Sequence, residues 1–207
     1  MRVLVACEFS GITREAFASR GHDAWSCDLR TSDLPGQHLR EDALEVMSRG
    51  WDLMIAHPPC RFLSRAGAVW FERDPTRQAK REAAMAFFMR LYNAPIQRVC
   101  IENPVGYPYG AFRRPDQCVD PYQFGDPERK RTCFWLRGLP PLAVAPLFTS
   151  TPELPRPGPT HTSPSGKKRY FTDSQSSGSR ARSRTFPGIA SAMAEQWGTI
   201  AGYSVQR

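Results

Sequence analysis

A chain of 207 residues, 41% of them hydrophobic, can bury one full core but is short for two, so one domain with an elaboration is expected. It has no apolar run near the ~20 residues of a membrane span, no signal-peptide layout in Met1 to Ala6, and six cysteines (Cys7, Cys27, Cys60, Cys100, Cys118, Cys133) that stand singly. A soluble cytoplasmic protein with reduced thiols, no zinc site and no disulfide framework is therefore expected, and a net charge of +8, unevenly placed, argues for a nucleic-acid partner.

Arg2 to Cys7 reads as a first buried strand and Glu8 to Gly11 as a tight turn. Ile12, Ala16 and Phe17 then recur at helical spacing, in a helix that Ser10 can cap and Gly21 ends. The turn offers backbone N–H groups at a helix start together with the acid of Glu8, which suits the charged end of a small cofactor. His22 to Asp28 reads as a second strand ending in an acid. A carboxylate in that place commonly accepts from the two hydroxyls of a ribose, and Asp28 has the expected offset of about 20 residues from the first loop. The alternative is a plain surface aspartate. After a polar loop with Pro35 and Gly36, Arg40 to Ser48 makes a short helix containing Asp42.

The stretch that organises the chain is Trp51 to Cys60. Trp51 to Ala56 reads as a strand in which Leu53 to Ala56 have the composition of a buried parallel one, and Pro58 and Pro59 cannot continue a central ladder, so Cys60 falls just past the carboxyl end of a strand. In open α/β sheets the loops at that edge converge over a crevice where ligands bind. Arg61 to Trp70 reads as a loop rich in small and basic residues. Asp74-Pro75 starts a long helix to Leu91, with Ala79, Ala83, Ala86, Phe87 and Met89 to Leu91 as its core face. Gln97 to Ile101 is a further strand, and it ends at Glu102-Asn103-Pro104, where proline again stops the ladder. Arg131 to Leu136 is a late strand. Pro155 to Arg184 is a Pro-, Gly- and Ser-rich basic arm, and Pro187 to Ile200 is a closing helix that packs beside the first. Strands alternating with helices imply a doubly wound, mostly parallel sheet.

The ordered set Phe9-Ser10-Gly11, Pro58-Pro59-Cys60 with Ser64, Glu102-Asn103-Pro104, Phe124-Gly125-Asp126-Pro127 with Lys130 and Thr132, and Ser183 to Ile189 resembles the motifs of DNA cytosine-5 methyltransferases. The resemblance spans Val3 to Trp197 and is to the short, phage- or prophage-encoded form, which places the protein in the cytoplasm of a bacterial host. The chain departs from the family's pattern at Ile12 and Thr13, where further glycines are usual; at Pro104, where valine is usual; and at Lys130 and Thr132, where arginines are paired.

What the resemblance implies is an S-adenosylmethionine-dependent methyltransferase (Rossmann-like) α/β fold, with a mixed, mostly parallel sheet and helices on both faces. Residues 1–138 and 183–207 form its catalytic domain, and 139–182 a small basic insertion of the target-recognition kind. Cys60 is then the nucleophile, with Glu102, Asn103 and Lys130 as its catalytic partners. Glu8, Phe9, Ser10, Gly11, Asp28, Asp42 and Pro58 form the pocket for S-adenosyl-L-methionine. Arg61, Arg65, Lys167, Lys168, Arg169, Arg182 and Arg184 contact DNA, and no metal is needed. A thiolate at Cys60, its pKa lowered by Arg61, Arg65 or Lys130, adds to carbon 6 of a flipped or unpaired cytosine, while Glu102, protonated or sharing a proton with ring nitrogen 3, stabilises the adduct.

Three other readings compete with this one. An amino-methyltransferase of exocyclic nitrogens has Asp or Asn before its Pro-Pro and an aromatic after it, from which His57 and Cys60 depart. A catalytically inactive DNA-binding relative would equally use the basic arm. A cytosine-5 enzyme acting on a free nucleotide would fit the small recognition region.

Overall fold

Val3 to Ala6 are all fully buried, which a half-exposed strand would not allow, and successive side chains enter two different cores. The computed structural model describes residues 1–64, 74, 76–144, 156–159, 161–162, 164–166, 168–169 and 183–199. In chain order its main elements are β1 (Arg2–Ala6), α1 (Ile12–Ala18), β2 (Asp23–Cys27), β3 (His38–Leu39), α2 (Ala43–Val46) and β4 (Leu53–Ala56). After a 3-10 turn at Cys60–Phe62 come α3 (Thr76–Tyr92), β5 (Arg98–Pro104), α4 (Pro108–Ala111), β6 (Gln117–Val119) and β7 (Thr132–Arg137). The short strands β8 (His161–Thr162) and β9 (Lys168–Arg169) precede the last helix, α5 (Pro187–Gly198).

Seven strands form one sheet in the order β3-β2-β1-β4-β5-β7-β6. The pairs from β3 to β5 are parallel, and β7 runs antiparallel to both β5 and β6. Leu4, Ala6, Met54, Ala56, Val99, Ile101 and Trp135 face a core closed by Ala43 and Val46 of α2 and Phe88 and Leu91 of α3. Val3, Val5, Leu53, Ile55, Cys100, Phe134 and Leu136 face the opposite core, closed by Phe17 of α1 and by Ile189, Met193 and Trp197 of α5. Each buried Val, Leu, Ile, Phe or Met among these contributes about 1.5–3 kcal/mol relative to exposure. The expected class, a Rossmann-like, mixed and mostly parallel sheet with helices on both faces, is the one observed. Because β2 lies on one side of β1 and β4 on the other, the order reverses between them, and a crevice opens beyond their carboxyl ends.

Four local expectations are corrected. β5 does not stop at Ile101 but runs through Glu102, Asn103 and Pro104, which pair with Phe134, Cys133 and Thr132 of β7. The pairing with β4 ends at Ile101, so Pro104 sits where only one neighbour remains and a missing N–H is tolerated. Cys118 and Cys133, opposite each other on β6 and β7 with their Cα atoms 4.2 Å apart, form a disulfide, which overturns the expectation that all six thiols are reduced. Strand pairing brought together two cysteines that are 15 residues apart. On α3 the buried residues are Phe88 and Leu91, while Ala79, Ala83 and Ala86 are exposed, because the inward stripe follows Ala84, Phe88 and Leu91. Trp51 precedes β4 rather than joining it, and its indole donates to the Val46 carbonyl at 2.8 Å, which fastens the end of α2.

The closing helix packs where expected. α5 lies beside α1, with Arg20 donating to the Ser191 hydroxyl at 2.9 Å and Pro187 in its first turn. The first residues of the expected insertion lie on the core, since Leu142 is buried there and exchanges two hydrogen bonds with the Gln117 side chain, at 2.8 and 2.7 Å. Among the described residues, β8 and β9 pair only with each other. No helix among the described residues is long and apolar enough to cross a membrane.

Candidate active site

The loop after β1 turns sharply at Cys7, whose φ of 58° is the only positive value among the described non-glycine residues. It then passes Gly11 at φ 76°, where a Cβ would meet the Arg14 guanidinium at 2.7 Å, so only glycine fits. Glu8 is buried and reaches the start of α1. Its Oε1 accepts from the Thr13 amide at 2.8 Å and the Ser10 hydroxyl at 2.9 Å, and its Oε2 accepts from the Arg14 amide at 3.4 Å. Glu8 thus satisfies the Thr13 and Arg14 amides of that helix, whose N-cap residue is Gly11, while the Ser10 hydroxyl, as expected, takes the first of its amides, that of Ile12, at 3.3 Å. Asp42 is likewise a helix cap, accepting from the Leu44 amide at 2.9 Å. Of the three acids expected to face a cofactor, only Asp28 lines the crevice. Its Oδ1 accepts from the Arg30 amide at 2.9 Å, and the Arg30 guanidinium lies 4.3 Å over the ring of Phe9.

At the neighbouring edge, β4 ends at Ala56 and the chain leaves through His57, Pro58 and Pro59 into the turn that begins at Cys60. That loop is fixed from β5. Asn103, fully buried, donates from Nδ2 to the Pro58 carbonyl at 3.4 Å, while the Tyr107 amide donates to the Leu63 carbonyl at 2.6 Å. Gly106 passes so close that a Cβ there would stand 1.9 Å from the same carbonyl. One turn of chain bearing the thiol is thus held against the strand bearing the carboxyl.

Glu102 points from β5 towards His57, with Oε2 3.2 Å from Nδ1. Burial pushes its pKa up, but the hydrogen bond and charge of His57, the charge of Lys130 and a hydrogen bond from Thr132 outweigh that, and the carboxyl titrates below its usual range. For Cys60 the balance is the reverse. Desolvation at the crevice raises its pKa, the charge of Glu102 raises it further, and Lys130 opposes them without prevailing. The expected lowering of the Cys60 pKa by nearby cations is therefore corrected, because desolvation and then the charge of Glu102 outweigh Lys130, and in the unliganded site His57, Lys130 and Thr132 favour the ionised form of Glu102 over the protonated one.

These groups line a single crevice of about 540 Å³, which extends from Phe9, Asp28 and Arg30 to Cys60, Glu102, Lys130 and Thr132. Its far wall comes from the end of the chain: Ser183 to Phe186 and then Ile189 and Met193 of α5. Arg184 bonds Asp33 at 2.8 Å, Lys130 stands 5.4 Å over the ring of Phe186, and the Gly188 amide donates to Asp126 at 2.9 Å. Phe124-Gly125-Asp126 and Phe186 to Gly188 are thus in contact, and a Cβ on Gly188 would lie 2.0 Å from the Phe124 carbonyl.

No family model and no curated protein matches this chain. Among solved structures it is similar to a candidate DNA modification methyltransferase encoded within an E. coli prophage. That likeness has 16% identity and a TM-score of 0.46, over 66% of this chain and 46% of the other. It is also similar to the S. pombe Dnmt2 methyltransferase, at 15% identity and a TM-score of 0.43, over 68% and 50% of the two chains. The chain spans about half the length of each.

Pro58 and Arg61 line the crevice, the former buried and the latter exposed. Ser10 and Gly11 are buried in the loop behind it. Arg65, Lys167 and Arg182 lie outside the described residues, as do the side chains of Lys168 and Arg169. Sequence reasoning gave no site role to His57 or Arg30, and it named Thr132 beside Lys130 without foreseeing its bond to Glu102. For His57 a signal was present, since it is the first residue after β4, but its contact with Glu102 spans 45 positions and needs the parallel pairing of β4 and β5. Among the described residues no group of three or more His, Cys, Asp or Glu could hold a metal ion.

Proposed function

We propose that this protein transfers a methyl group from S-adenosyl-L-methionine to carbon 5 of cytosine in DNA, through a covalent adduct of Cys60 at carbon 6. The observation that carries this reading is the sharing of one crevice by Cys60 at the end of β4 and Glu102 on β5. The residues at the other end fit the cofactor: Asp28 at the tip of β2 for a ribose, with Phe9, Pro58 and Met193 as apolar surface. Bound there, S-adenosylmethionine supplies an electrophilic methyl group. Glu8 and Asp42 contribute indirectly, by starting the helices that frame the pocket.

The thiol and carboxyl account for the protons. When the Cys60 sulfur bonds carbon 6, the carbon 5–carbon 6 π pair moves to carbon 4–carbon 5, and the carbon 4–nitrogen 3 pair localises on nitrogen 3. The proton leaving sulfur is taken by the Glu102 carboxylate and delivered to nitrogen 3, so no outside acid is needed. Lys130 offsets the negative charge near both groups. With the cofactor bound, carbon 5 of the resulting enamine would take the methyl group as the sulfonium–methyl bond breaks and S-adenosylhomocysteine leaves; a base would then remove the carbon 5 proton, the carbon 5–carbon 6 double bond would re-form as the carbon 6–sulfur bond breaks, and the nitrogen 3 proton would return through Glu102 to the Cys60 sulfur.

Arg61 and Arg184 are both exposed at the rim; in this reading they contact phosphates of a strand whose cytosine is flipped out, and the expected insertion, 139–182, serves target recognition through the part beyond the Leu142 segment that packs on the core. The test is trapping on DNA containing 5-fluorocytosine, which blocks removal of the last substituent. A stable protein–DNA adduct that forms with the cofactor and is absent from Cys60→Ser is expected. Methyl transfer by Cys60→Ser at the wild-type rate would overturn the reading in favour of an exocyclic-nitrogen enzyme, which needs no thiol.

A further inference from the structure

His57 has no part in the chemistry above, yet it is the residue nearest to that chemistry that remains unexplained. Its side chain is about 10% exposed and stands between β4 and β5. Since an ionised carboxylate can only accept, the 3.2 Å contact requires the hydrogen to be on Nδ1. The other ring nitrogen, Nε2, is buried and meets no hydrogen-bond partner among the described residues. An imidazole packed for its own stability would have both nitrogens satisfied; here only the one facing Glu102 is used.

We propose that His57 is a positioning residue for Glu102: its Nδ1–H fixes Oε2 at the β4 side of the crevice, so that the carboxyl meets the base in one orientation. The inference rests on the cytosine-5 reading for its consequence in catalysis, but not for the contact itself. Without His57, Glu102 would be held from the β7 side alone, by Thr132, and its χ angles would be free to turn the carboxyl away. The groups that face Glu102 are His57 from β4, Cys60 from the turn after it, Thr132 from β7 and Lys130 from the loop before β7. Removing His57 removes the hydrogen bond that most favours the ionised form and leaves Lys130 and Thr132 against burial, so the carboxyl must titrate at higher pH.

Two variants test this. His57→Asn keeps an N–H donor close to the place of Nδ1, whereas His57→Leu keeps bulk and removes the donor. The unliganded protein, labelled with carbon-13 at the glutamate carboxyls, is titrated by NMR, and the Glu102 signal is assigned by its loss in Glu102→Gln. Glu102 is expected to titrate at higher pH in His57→Leu and near its wild-type position in His57→Asn. In methyl transfer, His57→Leu is expected to lose ~10²-fold in kcat, with the KM for cofactor unchanged, and His57→Asn to recover most of it. An unchanged Glu102 titration in His57→Leu would overturn the proposal, as would a His57→Asn as impaired as the leucine variant in both readouts. Absence of methyl transfer by the wild type would sink the cytosine-5 reading alone, because the titration reads the contact without any substrate.

Discussion

The two edges of the crevice handle the same kind of residue in opposite ways. At the β1–β2 edge, Glu8 and Asp42 turn back to cap α1 and α2, and only Asp28 faces the open space. At the β4–β5 edge, His57, Cys60 and Glu102 all line it, and Asn103 holds the loop that carries the thiol. The difference lies in the segment that each strand leads into. After β1, and again just before α2, the chain enters a helix within a few residues, and the free amides at a helix start draw in the nearest carboxyl. After β4 two prolines and a 3-10 turn intervene, while Glu102 is held inside a strand by β7, out of reach of any helix start. A strand-end acid is therefore a candidate for binding only when no nearby helix takes it.

The most severe break in this contrast is at Cys60. Cys60→Ser is expected to lower methyl transfer by roughly 10⁴-fold or more, with the circular dichroism spectrum and urea midpoint unchanged, because the substitution replaces one atom and Cys60 belongs to neither core. Glu102→Gln should lose ~10²–10⁴-fold, since an amide can neither take the thiol proton nor deliver one. Tritium transfer from labelled cofactor to DNA measures both. The double variant should be no worse than Cys60→Ser, because the two residues serve one step. Additive losses would mean that the β4–β5 edge is two sites rather than one.

Much of this architecture could be read from residue order. The buried runs of β1, β4 and β7, the prolines after β4 and the proline that starts the final helix are local signals, and these three strands and that helix formed within a residue or two of their expected bounds. The site was legible in its outline, because Cys60 and Glu102 each come after an apolar run. The protonation states were not. They depend on the approach of His57, Lys130 and Thr132 to Glu102 from three separate segments, and no local pattern encodes those contacts. The Cys118–Cys133 bridge and the inward turn of Glu8 escaped for the same reason: the first needs the β6–β7 register, and the second needs the Gly11 turn to bring helix amides over the carboxyl.

The β1–β2 edge offers a finer test, because its acids should separate by the kind of effect. Asp28→Ala is expected to weaken S-adenosylmethionine binding by ~10-fold in calorimetry with little change in stability, as befits a carboxylate facing a ligand. Glu8→Ala leaves the Thr13 and Arg14 amides and the Ser10 hydroxyl without their acceptor in a buried loop, so it should cost about 1–3 kcal/mol in urea denaturation. A stable Glu8→Ala protein that fails to bind cofactor would return Glu8 to the pocket and erase the contrast between the edges.

The smallest expected effect concerns the Cys60 thiol itself. Its pKa lies above the ordinary value because of desolvation and then the charge of Glu102, with Lys130 pulling the other way. Only the thiolate reacts with iodoacetamide, so the alkylation rate of Cys60, tracked by peptide mass spectrometry across pH, reports that titration directly. In the wild type the rate should still be rising above pH 9. Glu102→Gln removes a negative charge beside the sulfur, which favours the thiolate, so the midpoint must move down and alkylation at a fixed neutral pH must speed up. Removing the cation should act in the opposite sense, and Lys130→Met is expected to move the midpoint up and slow the reaction. Because these shifts are read on the unliganded protein, they test the pairing of thiol and carboxyl apart from any turnover. Identical midpoints in the wild type and Glu102→Gln would mean that the two groups do not sense each other, and the proton relay from sulfur through Glu102 to the base would have to be abandoned.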